Sequence, residues 1–206
     1  MQTYIFDIDG TLMDTEAMYM RALQAVLKEQ GDPRPYADLT ATFGIPSRDA
    51  LEDLHVTDLE DVLVAWGERT AAYRETVHVY PGVLAALDQL RKRGAQLAIM
   101  TSKRQFEYEH DVVASGLADH FSLAIVAEDV QHGKPAPDGI NLAVERLNAD
   151  PATTIYIGDT HFDQEAAQAA NVAFGYAAWN DRQPRGFTPA ISLASPRELI
   201  TKFAAN

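Results

Sequence analysis

Apolar positions along this 206-residue chain follow two periods, and the change from one to the other divides it. The first run, Tyr4, Ile5, Phe6 and Ile8, is β-branched or aromatic and is broken by Gly10, which predicts a buried strand whose carboxyl end opens into a loop. Residues 16–30 then carry Met18, Leu23, Val26 and Leu27 at helical spacing and end before Gly31-Asp32-Pro33, a stop signal. Between 36 and 76 no strand pattern is found. Helices are expected around 36–43, around 47–54 and from about 58 to 75, with Ser47 and Asp58 as N-caps. After Val79-Tyr80-Pro81-Gly82, strands and helices alternate at the spacing of βα units. Helices are expected at about 82–93, 104–114, from Pro137 to Leu147, and 162–170. The strands between and after them fall at 96–101, 123–126, 153–157, 172–176 and, shorter, 191–193, before a closing helix from Pro196. The pattern therefore predicts an α/β chain in which residues 1–15 and 79–206 form a sheet domain and 16–78 a helical insert.

Hydrophobic residues at 47% and charged residues at 23% fit a soluble globular chain without internal repeats or low-complexity segments. No apolar run reaches the length of a membrane span, and the first residues lack the basic region and apolar core of a signal peptide, so a cytoplasmic location and no membrane partner are expected. The absence of cysteine excludes disulfides and thiolate metal sites. A formal charge of -13 argues against nucleic acid as a partner, which would need a basic face. The same charge means that any anionic ligand requires a local reversal of field, by a bound cation and a few placed lysines or amides.

Candidate chemistry collects where strands are expected to end. Asp7 and Asp9 stand at the opening of the first strand, where an open α/β sheet places its ligand crevice; solvated turn aspartates would look the same. Strict alternation would set both acids on one face, and the backbone is expected to leave the strand at Ile8 and Asp9. Thr101-Ser102-Lys103-Arg104 ends another strand in hydroxyls and cations before a helix, which suits an anion site or a simple helix cap. Lys134, between Gly133 and Pro135, has a pinned backbone, useful for a cation that must hold one position, although surface lysines are common. Ile155-Tyr156-Ile157-Gly158-Asp159 repeats the order apolar strand, glycine, acid, with Asp163 four residues on. The six histidines do not cluster; His161 is expected on an exposed loop. No Gly-x-Ser-x-Gly elbow is present, which removes a serine hydrolase.

Asp7-Ile8-Asp9-Gly10-Thr11-Leu12 resembles the first motif of the haloacid dehalogenase-like hydrolase superfamily. The tail Met13-Asp14-Thr15-Glu16 is similar to the branch holding phosphoglycolate phosphatase-like enzymes and β-phosphoglucomutase. Thr101, Gly133-Lys134-Pro135-Ala136-Pro137-Asp138 and Gly158-Asp159 resemble the second, third and fourth motifs, so that the likeness covers nearly the whole chain. It implies a Rossmann-like parallel sheet core with an all-helical cap inserted after the first strand. It also implies a magnesium-dependent phosphatase of a small phosphorylated metabolite, phosphoglycolate or a sugar phosphate, acting as monomer or homodimer. By that resemblance Asp7 attacks phosphorus, while Asp9 protonates the leaving group and later activates water. Asp9 must then hold a proton part of the time, which neighbouring carboxylates are expected to favour. Thr101, Ser102 and Thr11 would bind the phosphoryl group and Lys134 would neutralise it. Asp7, Asp159 and the main-chain carbonyl of Asp9 would hold Mg2+. Asp163 would reach the metal through water, orient Lys134 or cap the following helix. Gly44-Ile45-Pro46-Ser47-Arg48 looks like the cap loop of the β-phosphoglucomutase group, where Arg48 would grip the substrate's distal part or else pair with Glu52. A phosphomutase and a non-catalytic phosphate-binding protein are the alternatives. A dehalogenase is disfavoured, because departing halide needs neither metal nor the acid at Asp9.

Overall fold

A computed structural model describes residues 1–44 and 46–203; Ile45, in the loop before Arg48, lies outside the described residues. In chain order the elements are β1 (Thr3–Phe6), β2 (Met13–Asp14), α1 (Glu16–Glu29), α2 (Tyr36–Thr40), α3 (Ser47–Asp53), α4 (Leu59–Arg69), β3 (His78–Val79), α5 (Val83–Lys92) and β4 (Gln96–Met100). They continue with α6 (Gln105–Tyr108), β5 (Leu123–Ile125), α7 (Asp138–Arg146), β6 (Thr154–Gly158), α8 (His161–Ala169), β7 (Ala173–Ala177), β8 (Ser192–Leu193) and α9 (Glu198–Thr201). The chain divides into two compact units, Met1–Met13 with Val79–Asn206, and Asp14–His78. No helix of the described residues is long and apolar enough to cross a membrane.

The first unit is built on a six-stranded parallel sheet of order β5-β4-β1-β6-β7-β8, a Rossmann-like arrangement flanked by helices. Every residue of β1 and β6 is buried, which explains why these segments read as unbroken apolar runs: helices cover both faces of a parallel sheet. One face packs Ile5, Ala98, Met100, Ile125 and Tyr156 against Ile140 and Ala143 of α7 and Ala166 and Ala167 of α8. Strand order reverses direction on either side of β1, and that switch point is where a crevice opens at the carboxyl ends. The register sets Phe6 opposite both Ile99 and Ile157, so that Asp7 stands one position below the level of Thr101 and Asp159. Three motif segments therefore end together.

Strand β1 ends at Phe6, and the backbone turns away at Ile8 and Asp9 as expected. Asp7 N still donates to Ile157 O at 2.9 Å, but the amides of Thr11, Leu12 and Met13 all turn back to the Ile8 carbonyl, at 3.1, 2.9 and 2.9 Å. Gly10 sits in that tight loop at φ 75°, a conformation L side chains rarely adopt.

The second unit packs α1 to α4 around Met20, Leu23, Val26, Leu27, Leu39, Leu51, Val62 and Trp66, with the Trp66 indole donating to Tyr19 O at 2.8 Å. The helix expected over 58–75 ends as α4 at Arg69 and continues as a 3-10 segment, Thr70–Thr76. Of the two expected N-caps, Asp58 stands at the capping position of α4 without a capping side-chain bond, and Ser47 does not cap α3. Ser47 is already the first residue of α3, behind Pro46, and Asp58 adopts φ 55° with no side-chain bond to the helix. In the first unit, the helix expected over 104–114 is a four-residue α6 followed by one wide π turn, Glu109–Val113, and the closing helix spans only α9. The short pair β2 and β3, which form a separate two-stranded sheet, carries no periodic signal because two residues are too few.

Candidate active site

Four charged side chains meet beyond the ends of β1 and β6. Lys134 Nζ lies 3.0 Å from Asp7 Oδ1 and 2.7 Å from Asp163 Oδ1, with Tyr156 OH 3.4 Å away. Tyr156 OH is in turn 3.1 Å from both Asp163 Oδ1 and Met100 O, so an apolar strand contributes a hydroxyl to the cluster from its inward face. Burial removes water from all of them, and the ionisation of each records how well its neighbours replace it. Asp7 is pushed up to about 7 by burial first, against Lys134 and with Asp163 and Asp9 adding to the rise. Lys134 loses hydration too, yet Asp163 and Asp7 hold it well above the usual lysine range. For Asp163 burial acts upward, but Lys134 and the bonds from Thr160 keep it below the ordinary carboxylate value.

Asp163 earns its place twice. Its Oδ2 accepts from Thr160 N at 2.9 Å, Thr160 Oγ1 at 2.7 Å and Asp159 N at 3.1 Å, closing a reciprocal cap at the start of α8 while its other oxygen holds Lys134. Of the roles open to it in the sequence, orienting Lys134 and capping the helix are both visible in the geometry. Gly158 makes room for it: a Cβ there would lie 2.4 Å from Asp163 Cγ.

Asp159 is raised well above the usual range by burial, then by Asp163 and Asp7 against Arg182. Its Oδ2 accepts from Asn180 Nδ2 at 3.2 Å and Arg182 Nη1 at 3.3 Å, while Oδ1 is buried without a hydrogen-bond partner. Gly10 presses on the same carboxylate, since a Cβ at residue 10 would come 2.2 Å from Asp159 Oδ2. Oxygens of Asp7, Asp159 and Asp163 all lie within 4.8 Å of one another. With Asp163 already engaged, Asp7 and the orphaned Oδ1 of Asp159 are the hard oxygen donors that fit a divalent cation.

Other sequence candidates fall at different distances from this cluster. Asp9 is partly exposed, and its Oδ1 lies 3.1 Å from Lys103 Nζ, a cation that the argument from neighbouring carboxylates left out. Thr101 is buried and its hydroxyl accepts from Lys103 N at 3.2 Å; Ser102 beside it is exposed. Thr11 is wholly buried, its hydroxyl without a partner and its carbonyl accepting from Trp179 Nε1 at 2.8 Å. Arg48 belongs to the other unit, where it is exposed and pairs at 2.5 Å with Glu60 of α4 rather than with Glu52. His161 is the half-buried first residue of α8, its ring 3.8 Å from that of Phe162, not an exposed loop residue. Sequence reasoning missed Lys103, Tyr156, Asn180 and Arg182 as neighbours of the site. Lys103 stood inside a quoted motif. Asn180 and Arg182 follow β7, which lies beside β6, a neighbour relation that no sequence signal gave.

Comparison with known proteins gives a consistent answer. The model of the family described as haloacid dehalogenase-like hydrolase matches residues 4–177. Pyrophosphatase PpaX of Oceanobacillus iheyensis is 26% identical over 97% of this chain and 95% of its own length. A phosphorylated carbohydrates phosphatase of Thermotoga maritima is 29% identical, with 97% of each chain covered. A solved structure from Lactobacillus plantarum, named a "putative phosphoglycolate phosphatase", superposes with a TM-score of 0.88 at 29% identity, covering 98% of this chain and 99% of its own.

Proposed function

The chain belongs to the haloacid dehalogenase-like hydrolases and is a phosphatase of that family, and on this premise we propose that it hydrolyses a small phosphomonoester through a phosphorylated Asp7, with Mg2+. The observation that carries the reading is the pairing of a buried Asp7 with Lys134 beside an Asp159 oxygen that has no other partner. A carboxylate nucleophile divides one hard displacement into two easier ones. Asp7 bonds to phosphorus as the ester oxygen departs, and Asp9 gives that oxygen its proton. Water then bonds to phosphorus and releases Asp7, while Asp9 takes the proton back. Lys134 and the Thr101 and Ser102 segment hold the charge on the phosphoryl oxygens, which is most of what such a transfer needs. Asp7, Asp159 and the Asp9 carbonyl are the groups that would hold Mg2+, and the chemistry it would supply is positive charge against the phosphoryl oxygens.

The substrate proposed is phosphoglycolate or a sugar phosphate. Two relatives support that class, one named for phosphorylated carbohydrates and one for phosphoglycolate, while a third is named for pyrophosphate, an anhydride outside it. Hydrolysis of p-nitrophenyl phosphate is the first test. Activity should require Mg2+, vanish in EDTA, and fall at least roughly a thousandfold in Asp7→Asn. Acid-quenched wild type should carry covalent phosphate that the variant lacks. Undiminished turnover by Asp7→Asn would remove the covalent route, and a panel of phosphorylated metabolites ranked by kcat/KM would identify the substrate.

A further inference from the structure

A lysine keeps its charged end in water unless partners replace the lost hydration. The side chain of Lys103 is 1% exposed, and Nζ sits 2.9 Å from Asp111 Oδ2 and 3.1 Å from Asp9 Oδ1. The two acids differ: the side chain of Asp111 is 6% exposed, that of Asp9 25%. The lysine thus bridges a buried anchor and a carboxyl that reaches the solvent side. Its backbone is fixed as well, with N donating to Thr101 Oγ1 at 3.2 Å and O accepting from Ala127 N at 2.9 Å. Asp111 comes from the wide turn Glu109–Val113, whose closing bond runs from Ala114 N to Glu109 O at 3.2 Å. Such a turn holds one residue more than an α turn and re-aims the side chains it carries.

We infer that Lys103 is a positioning residue for proton transfer: anchored by Asp111, it holds the Asp9 carboxyl in the orientation from which Asp9 exchanges its proton with the departing oxygen. The inference rests on the role proposed above for Asp9. A carboxyl in a loop beyond a strand end has several rotamers open to it, and an ion pair at 3.1 Å with a buried, backbone-fixed ammonium favours one. Oδ1 is the oxygen paired with Lys103, while the side chain as a whole stays 25% exposed. The hydrogen bond of Lys103 Nζ goes to Asp111 Oδ2 at 2.9 Å, which fixes the ammonium in place, and Asp9 Oδ1 is met through charge at 3.1 Å. In the step concerned, the Asp7–phosphorus bond forms, the phosphorus–ester oxygen bond breaks, and the ester oxygen takes the proton from Asp9.

A misaimed proton donor harms only those esters that need it. An alkoxide departs poorly without a proton, whereas p-nitrophenolate departs readily without one. The experiment compares kcat/KM of the Mg2+-loaded full chain on p-nitrophenyl phosphate and on the alkyl monoester wild type turns over best, for Lys103→Met, Asp111→Asn and Asp9→Asn. We expect Lys103→Met to lose roughly ten- to a hundredfold on the alkyl ester and less than about threefold on the aryl ester. Asp111→Asn should shift the ratio in the same direction by less, with Mg2+ affinity by calorimetry unchanged in both. Equal losses on the two esters would mean a merely structural ion pair and overturn the inference; if Lys103→Met does not fold, Asp111→Asn decides alone. A leaving-group effect in Asp9→Asn that is absent from both other variants sinks this inference and leaves the proposed function standing. Its absence from Asp9→Asn removes the acid role of Asp9, and the inference with it.

Discussion

Asp7 carries the electrostatic cost of gathering acids where water is excluded. Its ionisation is raised from the ordinary 3.8 to about 7, burial being the main cause. A carboxyl whose folded value is raised binds a proton more tightly in the folded chain than in the unfolded one. It therefore contributes stability that is full below about pH 4 and is lost as pH rises through about 7. Above that, ionised Asp7 strains the metal-free protein. Asp7→Asn should accordingly raise Tm in EDTA at about pH 8 by a few degrees, at roughly 2–4 °C per kcal/mol for a chain of this size, and the gain should fade towards about pH 4. Thermal melts across that range decide it, and a variant no more stable than wild type at the alkaline end contradicts the burial argument. Lys134 should remain held in that variant by Asp163 at 2.7 Å. At this scale Asp7 and Asp159 were open to view because they follow apolar runs that announce strand ends, whereas Lys134 and Asp163 were singled out by the resemblance of their motifs. Lys103 and Tyr156 were not, since a residue's letter does not say which way its side chain faces.

Among the elements, α8 is the one whose beginning matters most to the site. Thr160 Oγ1 accepts from Asp163 N at 3.2 Å and donates to Asp163 Oδ2 at 2.7 Å, so the same bonds start the helix and fix the acid that holds Lys134. Thr160→Ala should cost about 1 kcal/mol and lower Tm by about 2–4 °C. A denaturation series measures this, and a neutral substitution would mean that Asp163 is held by its other partners alone. Strands were read well because each buried face leaves its mark on the sequence; β4 and β6 lie within a residue of the expected spans. Caps were read less well. Ser47 has the right chemistry, but Pro46 already occupies the capping position, and Asp58 occupies its own in a left-handed conformation that makes no side-chain bond to the helix. The wide turn after α6 was hidden for a similar reason, since Glu109–Val113 has ordinary helix-forming residues and only their packing changes the bond pattern.

At the scale of the molecule, each unit has its own apolar core, one around the parallel sheet and one around α1, α3 and α4. Leu51 is fully buried in the second core, and Leu51→Ala should cost about 2–5 kcal/mol. Amide exchange should show the loss within 14–78 while β1 and β6 keep their protection, because local stability follows local packing. Equal loss of protection in the sheet would show that the two cores unfold as one. The sequence alone determined the longer strands and helices, the alternation after residue 79 and the chemical character of the motif segments, because hydrophobic period and strand-end composition are local properties. Only the tertiary structure decided who stands next to whom: Asn180 and Arg182 on Asp159, Trp179 on Thr11, and Lys103 between Asp9 and Asp111. Those neighbours are set by strand order and by the path of loops, which bring residues far apart in the chain within bonding distance and leave no periodic trace in it.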